Sequence, residues 1–211
     1  MTREGSTAEK DMMQMKSKGF TLVELMIAMA IFSILSLVLV QQFSEGSRIS
    51  TEQSAVSQAQ QDLRIARIMM GRDLRLAGLD PLRTFRFGFE QATSSRFRIT
   101  ADMNENGDID DADLERVTYD LQPGNRQLLK TIYEGTGAEI SGALVDRIDP
   151  AASGFTYLDA DGNDLGDPVP PDNLEDIRTV VIDLTVEEPA GMAGIVNRNS
   201  TGRVMCRNLG I

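Results

Sequence analysis

The sequence has no histidine, no tryptophan and a single cysteine, Cys206, among its 211 residues. Without an imidazole, neither Ser-His-Asp or Cys-His catalysis nor a zinc site with histidine ligands can be built. One cysteine cannot form a disulfide within the chain, so we expect Cys206 to be a buried free thiol. Nothing in the spacing of the carboxylates supports acid–base catalysis. The chain is therefore not expected to be an enzyme, and no catalytic residue is assigned.

Proline is absent before Pro81, and the only glycines between Phe20 and Ala77 are Gly46 and Gly71. Nothing in this span forbids one long helix. Beyond it, turn-forming residues become frequent. We therefore expect an α+β protein with a polar leader, a long helix whose first part is apolar, and a β-rich head.

Positive and negative residues are also unevenly distributed along the chain, which has a net charge of −11. Residues 64–98 contain eight arginines and three acids, whereas residues 99–188 sum to −17. Such asymmetry suggests that different stretches meet different surroundings. DNA binding by the arginines is one interpretation, but they follow no recognisable nucleic-acid motif. We expect them to contact acidic protein surface instead, and nucleic acid is not expected as a partner.

The longest apolar run is FTLVELMIAMAIFSILSLVLV, from Phe20 to Val40, with Glu24 as its only charge. As a helix it would extend roughly 30 Å, the thickness of a bilayer's hydrocarbon core. The run is too long for the core of a cleaved secretory signal, and no small-x-small cleavage site follows it. Because Lys16 and Lys18 precede the run, we expect a single pass with a cytoplasmic N-terminus.

Glu24 is the anomaly of this segment. A carboxylate in a membrane helix costs about 2.5–3.5 kcal/mol at the centre, and less near an end, so it usually has a partner. The alternative is that Glu24 reaches the headgroups by itself.

The sequence KGFTLVELMIAMAIFSIL at residues 18–35 resembles the N-terminal signature of type IV pilins and type II secretion pseudopilins. The resemblance implies that prepilin peptidase cuts between Gly19 and Phe20, after the basic flank of Lys16 and Lys18. The same enzyme would methylate the new α-amine of Phe20. In this family the carboxylate at the position of Glu24 pairs with the N-terminal ammonium of a neighbouring subunit, which neutralises both charges in the filament core.

The resemblance also implies a pilin-like organisation of the whole chain. We expect a leader at 1–19, a transmembrane and assembly helix at 20–43, its amphipathic continuation at 44–78 and an acidic head at 79–211. The protein would lie in the inner membrane before assembly and then in a periplasmic or extracellular filament. Because the leader is long, a later start is an alternative, and the candidates are Met12, Met13 and Met15.

The amphipathic continuation carries apolar residues three or four apart, which predicts one stripe packed on the head. The stripe comprises Val56, Ala59, Leu63, Ala66, Met70, Leu74 and Ala77. Gly78 and Pro81 are typical of a helix end. The stretch IARIMMGRDLRLAGLDP at 65–81 resembles PilW-type minor pilins and J-type pseudopilins.

The head is predicted to be an antiparallel sheet. Strand signals occur at 96–100, 115–121, 127–133, 155–158 and 177–186. QPGN at 122–125 predicts a hairpin turn, and the loops at 134–143 and 161–173 are expected at the surface.

The segment with the clearest candidate metal ligands is ADMNENGDIDDAD at 101–113. It resembles an EF-hand calcium loop, with side-chain oxygens at alternate positions and a glycine at the sixth. The predicted calcium ligands are Asp102, Asn104, Asn106, Asp108, Asp110 and Asp113. A solvated acidic turn is the alternative. The shorter DADGND at 159–164 is expected to be a plain turn, with a weaker ion site at Asp159, Asp161 and Asn163 as the alternative.

These observations predict a minor pilin of a type IV pilus that primes filament assembly, with prepilin peptidase, other pilins and the inner membrane as partners. Two alternatives stay open at this point: a type II secretion minor pseudopilin, and a calcium-dependent adhesin displayed at the filament tip.

Overall fold

The computed structural model describes residues 19–110, 114–135, 137–189 and 194–209. For Thr51 it describes the backbone alone. The chain divides into two compact units, Met1–Ser47 and Arg48–Ile211. A single helix, α1 at Leu22–Leu76, contributes to both. The lysines at 16 and 18 lie outside the described residues.

Helix α1 ends where its sequence predicts. Gly78 has φ +77°, the left-handed conformation that favours glycine after a helix. A Cβ on Gly78 would lie 2.4 Å from Cδ2 of Leu209, so the close approach of the C-terminal segment also requires glycine. The N–H of Leu79 donates to the carbonyl of Leu76 at 2.9 Å, which satisfies one of the last helical carbonyls.

Within the described residues, eight strands follow the helix and form two antiparallel sheets. The first sheet has the order β1-β2-β3-β4-β5, and the second has the order β6-β7-β8. Strands of the first sheet are β1 (Phe89–Ala92), β2 (Arg96–Thr100), β3 (Arg116–Gln122), β4 (Gln127–Ile132) and β5 (Ile140–Asp146). Strands of the second are β6 (Gly154–Leu158), β7 (Thr179–Pro189) and β8 (Ile195–Met205). A 3₁₀ helix occupies Pro171–Asp176.

The α+β class is confirmed, and so is every strand expected from the sequence, with ends that shift by at most three residues. The hairpin turn is also confirmed, because Gln122 pairs with Gln127 across it. The described residues of the two loops at 134–143 and 161–173 are mostly exposed, as expected. Their predicted ends were wrong, because β5 begins at Ile140 and the 3₁₀ helix begins at Pro171.

The predicted helix stripe packs in the core of the second unit. Val56 is half-buried, and the other members of the stripe are buried. An aromatic cluster joins the two sheets: the ring of Phe97 on β2 lies 4.8 Å from that of Phe155 on β6, in an edge-on arrangement. The Tyr157 hydroxyl donates to the carbonyl of Thr93 at 2.7 Å, so burial leaves it satisfied.

Cys206 is buried, as expected. Burial raises the pKa of its thiol to about 12, although the nearby Arg178 cation acts in the opposite direction. The thiol is therefore a structural side chain with little thiolate character at neutral pH.

Candidate functional site: the helix N-terminus and the acidic loop

The peptide bond expected to be cleaved lies just outside the helix. Gly19, Phe20 and Thr21 are all exposed, and none of them has helical structure. Among the described residues other than its chain neighbour, none has an atom within 4 Å of the position that a Cβ on Gly19 would take. Exposed backbone without regular structure is what a peptidase needs to reach the bond between Gly19 and Phe20.

Thr21 and Glu24 form a reciprocal cap at the start of α1. The Glu24 amide donates to the hydroxyl oxygen of Thr21 at 3.2 Å. In return, the backbone N–H and the hydroxyl of Thr21 donate to Oε2 of Glu24, at 2.9 and 2.8 Å. This arrangement is a capping box, which satisfies backbone donors that a helix start would otherwise leave unpaired. Inside the hydrocarbon core of a membrane, such donors would have no water as an alternative partner.

The cap uses only one oxygen of Glu24. All the hydrogen bonds that Glu24 accepts within the described chain go to Oε2, so Oε1 keeps its capacity to accept a bond from another molecule. The sequence indicated that the Glu24 charge needs a partner, but Thr21 was not predicted to be one. The T-x-x-E spacing before an apolar run was the signal that could have found the cap.

The first unit presents an apolar surface. From Gly19 to Ser47 every residue except Ser36 is exposed, including Phe32 at 71%. Within α1, an 18-residue window reaches a mean hydropathy of 2.6. The Ser33 hydroxyl donates to the carbonyl of Met29 at 2.7 Å, so this polar group is satisfied inside the helix. By length and composition, the helix can cross a membrane.

In the acidic loop between β2 and β3, the expected first calcium ligand is fully buried. The carboxylate of Asp102 accepts the backbone N–H groups of Asn106 at 3.2 Å and Gly107 at 3.1 Å. Gly107 has φ +81°, which explains why a glycine stands at the sixth position of the loop. Asp102 therefore holds the first half of the loop in a tight turn.

Three more of the expected ligands meet at one point. The side-chain amides of Asn104 and Asn106 donate to Oδ2 of Asp110, at 2.9 and 3.0 Å. Asp108 instead points to Arg86, with 2.6 Å between Oδ1 and Nη1. In an EF-hand loop the seventh position contributes its backbone carbonyl, so the outward side chain of Asp108 is compatible with that pattern.

Asp113 lies outside the described residues. Within the part of the chain that the structure describes, no group of three or more His, Cys, Asp or Glu residues could hold a metal ion. The two side chains that meet at Asp110 belong to asparagines, which are not among these four residue types. Calcium binding by this loop therefore stays a prediction.

Glu115, which sequence reasoning treated as the first residue of a strand, closes the same loop from its other end. Only 1% of this residue is exposed. Its carboxylate accepts three backbone N–H bonds at 2.9–3.3 Å, from Met103, Asn104 and Asp110. The loop is thus shaped by buried carboxylates at both ends, whether or not a cation is present.

The second acidic cluster is a turn, as expected. Oδ1 of Asp159 accepts the backbone N–H groups of Asp161 at 2.9 Å and Asn163 at 2.8 Å. The Asn163 side chain also donates to Asp159, and these hydrogen bonds lower the pKa of the Asp159 carboxyl. The carboxylate is occupied by its own loop.

Comparisons with known proteins bear on the helix N-terminus. Residues 14–40 match the family model described as the prokaryotic N-terminal methylation motif. No curated protein matches the sequence. Among solved structures, a type IV-like pilin from Thermus thermophilus is similar over 71% of this chain and 97% of its own, with 12% identity and a TM-score of 0.47. The motif confirms the prepilin-type N-terminus expected from the sequence.

Proposed function

We propose that this protein is a minor pilin of a type IV pilus, inserted in the inner membrane and built into a filament or its tip. The observation that carries the proposal is the methylation motif at 14–40, which ends within the exposed apolar part of α1. Prepilin peptidase would remove residues 1–19 and methylate Phe20. The role of the processed pilin would be assembly and priming of the filament, without turnover of a substrate.

The geometry of Glu24 supports a specific step in assembly. Before cleavage, Oε2 of Glu24 caps its own helix through Thr21, and Oε1 is available. Cleavage after Gly19 creates an ammonium on Phe20, and the ammonium of a neighbouring subunit would then bond to Oε1. A charge pair in a low-dielectric filament core avoids the cost of burying either charge alone.

A Glu24 series separates capping from charge pairing. Glutamine also serves in a capping box, so Glu24→Gln keeps the helix start and removes the charge. Glu24→Val removes both. We expect both variants to insert in the membrane, and we expect each to reduce incorporation into filaments about tenfold or more, since the pair is lost in both. The measurement is the amount of the chain in sheared filaments relative to membranes, by quantitative mass spectrometry.

Thr21→Ala is the matched control, because it weakens the cap and leaves the Glu24 charge in place. The expected loss of helix stability is about 1 kcal/mol, with incorporation close to that of the unmodified chain. Normal incorporation of Glu24→Gln combined with poor incorporation of Thr21→Ala would show that Glu24 acts only as a cap, contrary to the proposed pairing.

The calcium prediction is tested on the acidic loop of the full-length protein in detergent, by calorimetric titration with calcium. We expect Asp110→Ala to weaken calcium binding about tenfold or more, because the ninth-position oxygen is lost. Asp108→Ala is the control of equal charge, and we expect it to keep binding, because the seventh position uses its backbone carbonyl. Titrations without heat, or equal losses in both variants, would favour the solvated acidic turn.

A further inference from the structure

A small groove lies between the second half of α1 and strand β8, far along the chain from the processing site. It has a volume of about 240 Å³. Its lining includes Arg64 and Arg67 from α1 and Arg198 from β8, with Gln60, Leu63, Asn199 and Ser200 completing it. We name these seven residues the arginine groove. No carboxylate belongs to it.

The backbone of β8 makes room for one of these cations. A Cβ at Gly202 would lie 2.9 Å from Cδ of Arg67, so the Arg67 side chain crosses the strand where a side chain is missing. Its Nη1 donates to the carbonyl of Thr201 at 3.3 Å. Glycine in a strand interior often marks such a close approach. The arginine is therefore held over the strand by an uncharged acceptor.

The three cations of the groove lack acidic partners. Across the described ranges, Arg64, Arg67 and Arg198 form no ion pair with a carboxylate, although the chain carries an excess of acids. Eight other cations in the same unit do form such pairs: Arg72, Arg86, Arg96, Arg98, Arg116, Arg126, Lys130 and Arg147. The groove is thus a place where positive charge has been left uncompensated.

Arg198 adds a second observation. Its Nε is shielded from solvent and has no hydrogen-bond partner in the described part of the chain. A buried donor without an acceptor destabilises the structure, because it has lost its hydrogen bonds to water and gained none in return. An anion bound to the guanidinium would offset that cost, because it adds attraction to a cation that is already partly desolvated.

We propose that the arginine groove binds an Asp- or Glu-rich segment of a partner protein. Arginine presents a planar fork of N–H donors that matches a carboxylate in a bidentate manner, and three such forks suit two or three neighbouring acids. A nucleic acid fits less well. The groove has no aromatic side chain on which a base could stack, and residues 99–188, at −17, would repel an extended phosphate backbone. The proposal does not depend on cleavage after Gly19.

The test uses the full-length chain in nanodiscs of neutral phosphatidylcholine. The probe is a fluorescently labelled peptide of alternating aspartate and glutamate, followed by anisotropy at increasing salt. We expect Arg64→Gln combined with Arg198→Gln to weaken binding about tenfold or more. Gly202→Val keeps every charge but displaces Arg67, and we expect it to weaken binding about threefold. Thermal unfolding by circular dichroism verifies that each variant is folded.

The matched control is Arg83→Gln combined with Arg207→Gln, which removes the same charge from exposed arginines that form no ion pair in the described chain. It should change the affinity by less than about twofold. Equal weakening in the control would show that only net charge matters and would overturn the proposal. So would an absence of peptide binding at low salt, or tighter binding of a short DNA duplex that is lost in the groove variant.

Discussion

Gly19→Leu is expected to leave the whole chain uncleaved in the membrane. Gly19 and Phe20 are exposed, and apart from the chain neighbour no described residue has an atom within 4 Å of a Cβ placed at Gly19. The chain itself therefore has space for a larger residue. Any block must arise in the peptidase, whose active site would have to accommodate the new side chain beside the scissile bond.

The consequences of that block extend to assembly. Without cleavage, Phe20 has no free α-amine, so it can neither be methylated nor offer an ammonium to Glu24 of a neighbour. The cap between Thr21 and Glu24 should be intact, because residue 19 contributes to none of its hydrogen bonds. We therefore expect an inserted but unassembled protein that retains its leader.

Intact mass spectrometry of membrane extracts distinguishes the two forms, since the uncleaved chain keeps residues 1–19 and its Phe20 carries no methyl group. Gly46→Leu is a matched control, because Gly46 also has no atom within 4 Å of a Cβ position but lies within α1. We expect Gly46→Leu to be cleaved normally. Normal cleavage of Gly19→Leu would remove the basis of the proposed processing.

The parts of the fold that sequence reasoning found are those with a regular apolar period. The α1 stripe repeats every three or four residues, and β2, β3 and β4 bury apolar side chains in short runs. Three strands were not predicted from the sequence, namely β1, β5 and β8, and all three lie at sheet edges. Strand β8 reads IVNRNSTGRVM, and its side chains are mostly exposed or half-buried, so neither strong alternation nor an apolar run marks it.

The candidate functional residues also differ in how far the sequence could predict them. Glu24 was identified because a charge in an apolar run is anomalous whatever the fold. The importance of Glu115 depends on a loop that folds back onto it, and nothing local shows that its carboxylate is buried. The arginine groove was still less predictable, because Arg67 and Thr201 are 134 residues apart and meet only when β8 packs beside the helix.

The largest stability effect is expected at Asp73. Among the described residues of α1, it is the one acid that is buried. Its Oδ2 accepts bonds from the Tyr119 hydroxyl at 2.7 Å and from the Lys130 ammonium at 2.6 Å. Burial, and then the Asp73 charge, raise the pKa of Tyr119, so the phenol remains a donor through the alkaline range. The network ties α1 to β3 and β4.

Asp73→Ala removes the only carboxylate that faces Lys130 in the described chain and leaves both donors without an acceptor. Because the Lys130 side chain is only 12% exposed, we expect a loss of about 3–5 kcal/mol in the free energy of unfolding. Asp73→Asn can still accept from Tyr119 and should lose less. The measurement is denaturant unfolding of the full-length protein in detergent, followed by tyrosine fluorescence.

Asp62→Ala, also on α1, is the control. Asp62 is half-buried and accepts one side-chain bond, from Gln58 at 2.8 Å, so its removal should change the free energy of unfolding by less than about 1 kcal/mol. A double variant, Asp73→Ala with Lys130→Met, should recover much of the loss, because it no longer buries an unpaired ammonium. If the double variant were as unstable as Asp73→Ala, the lost energy would come from the Tyr119 bond and the cavity rather than from the stranded charge.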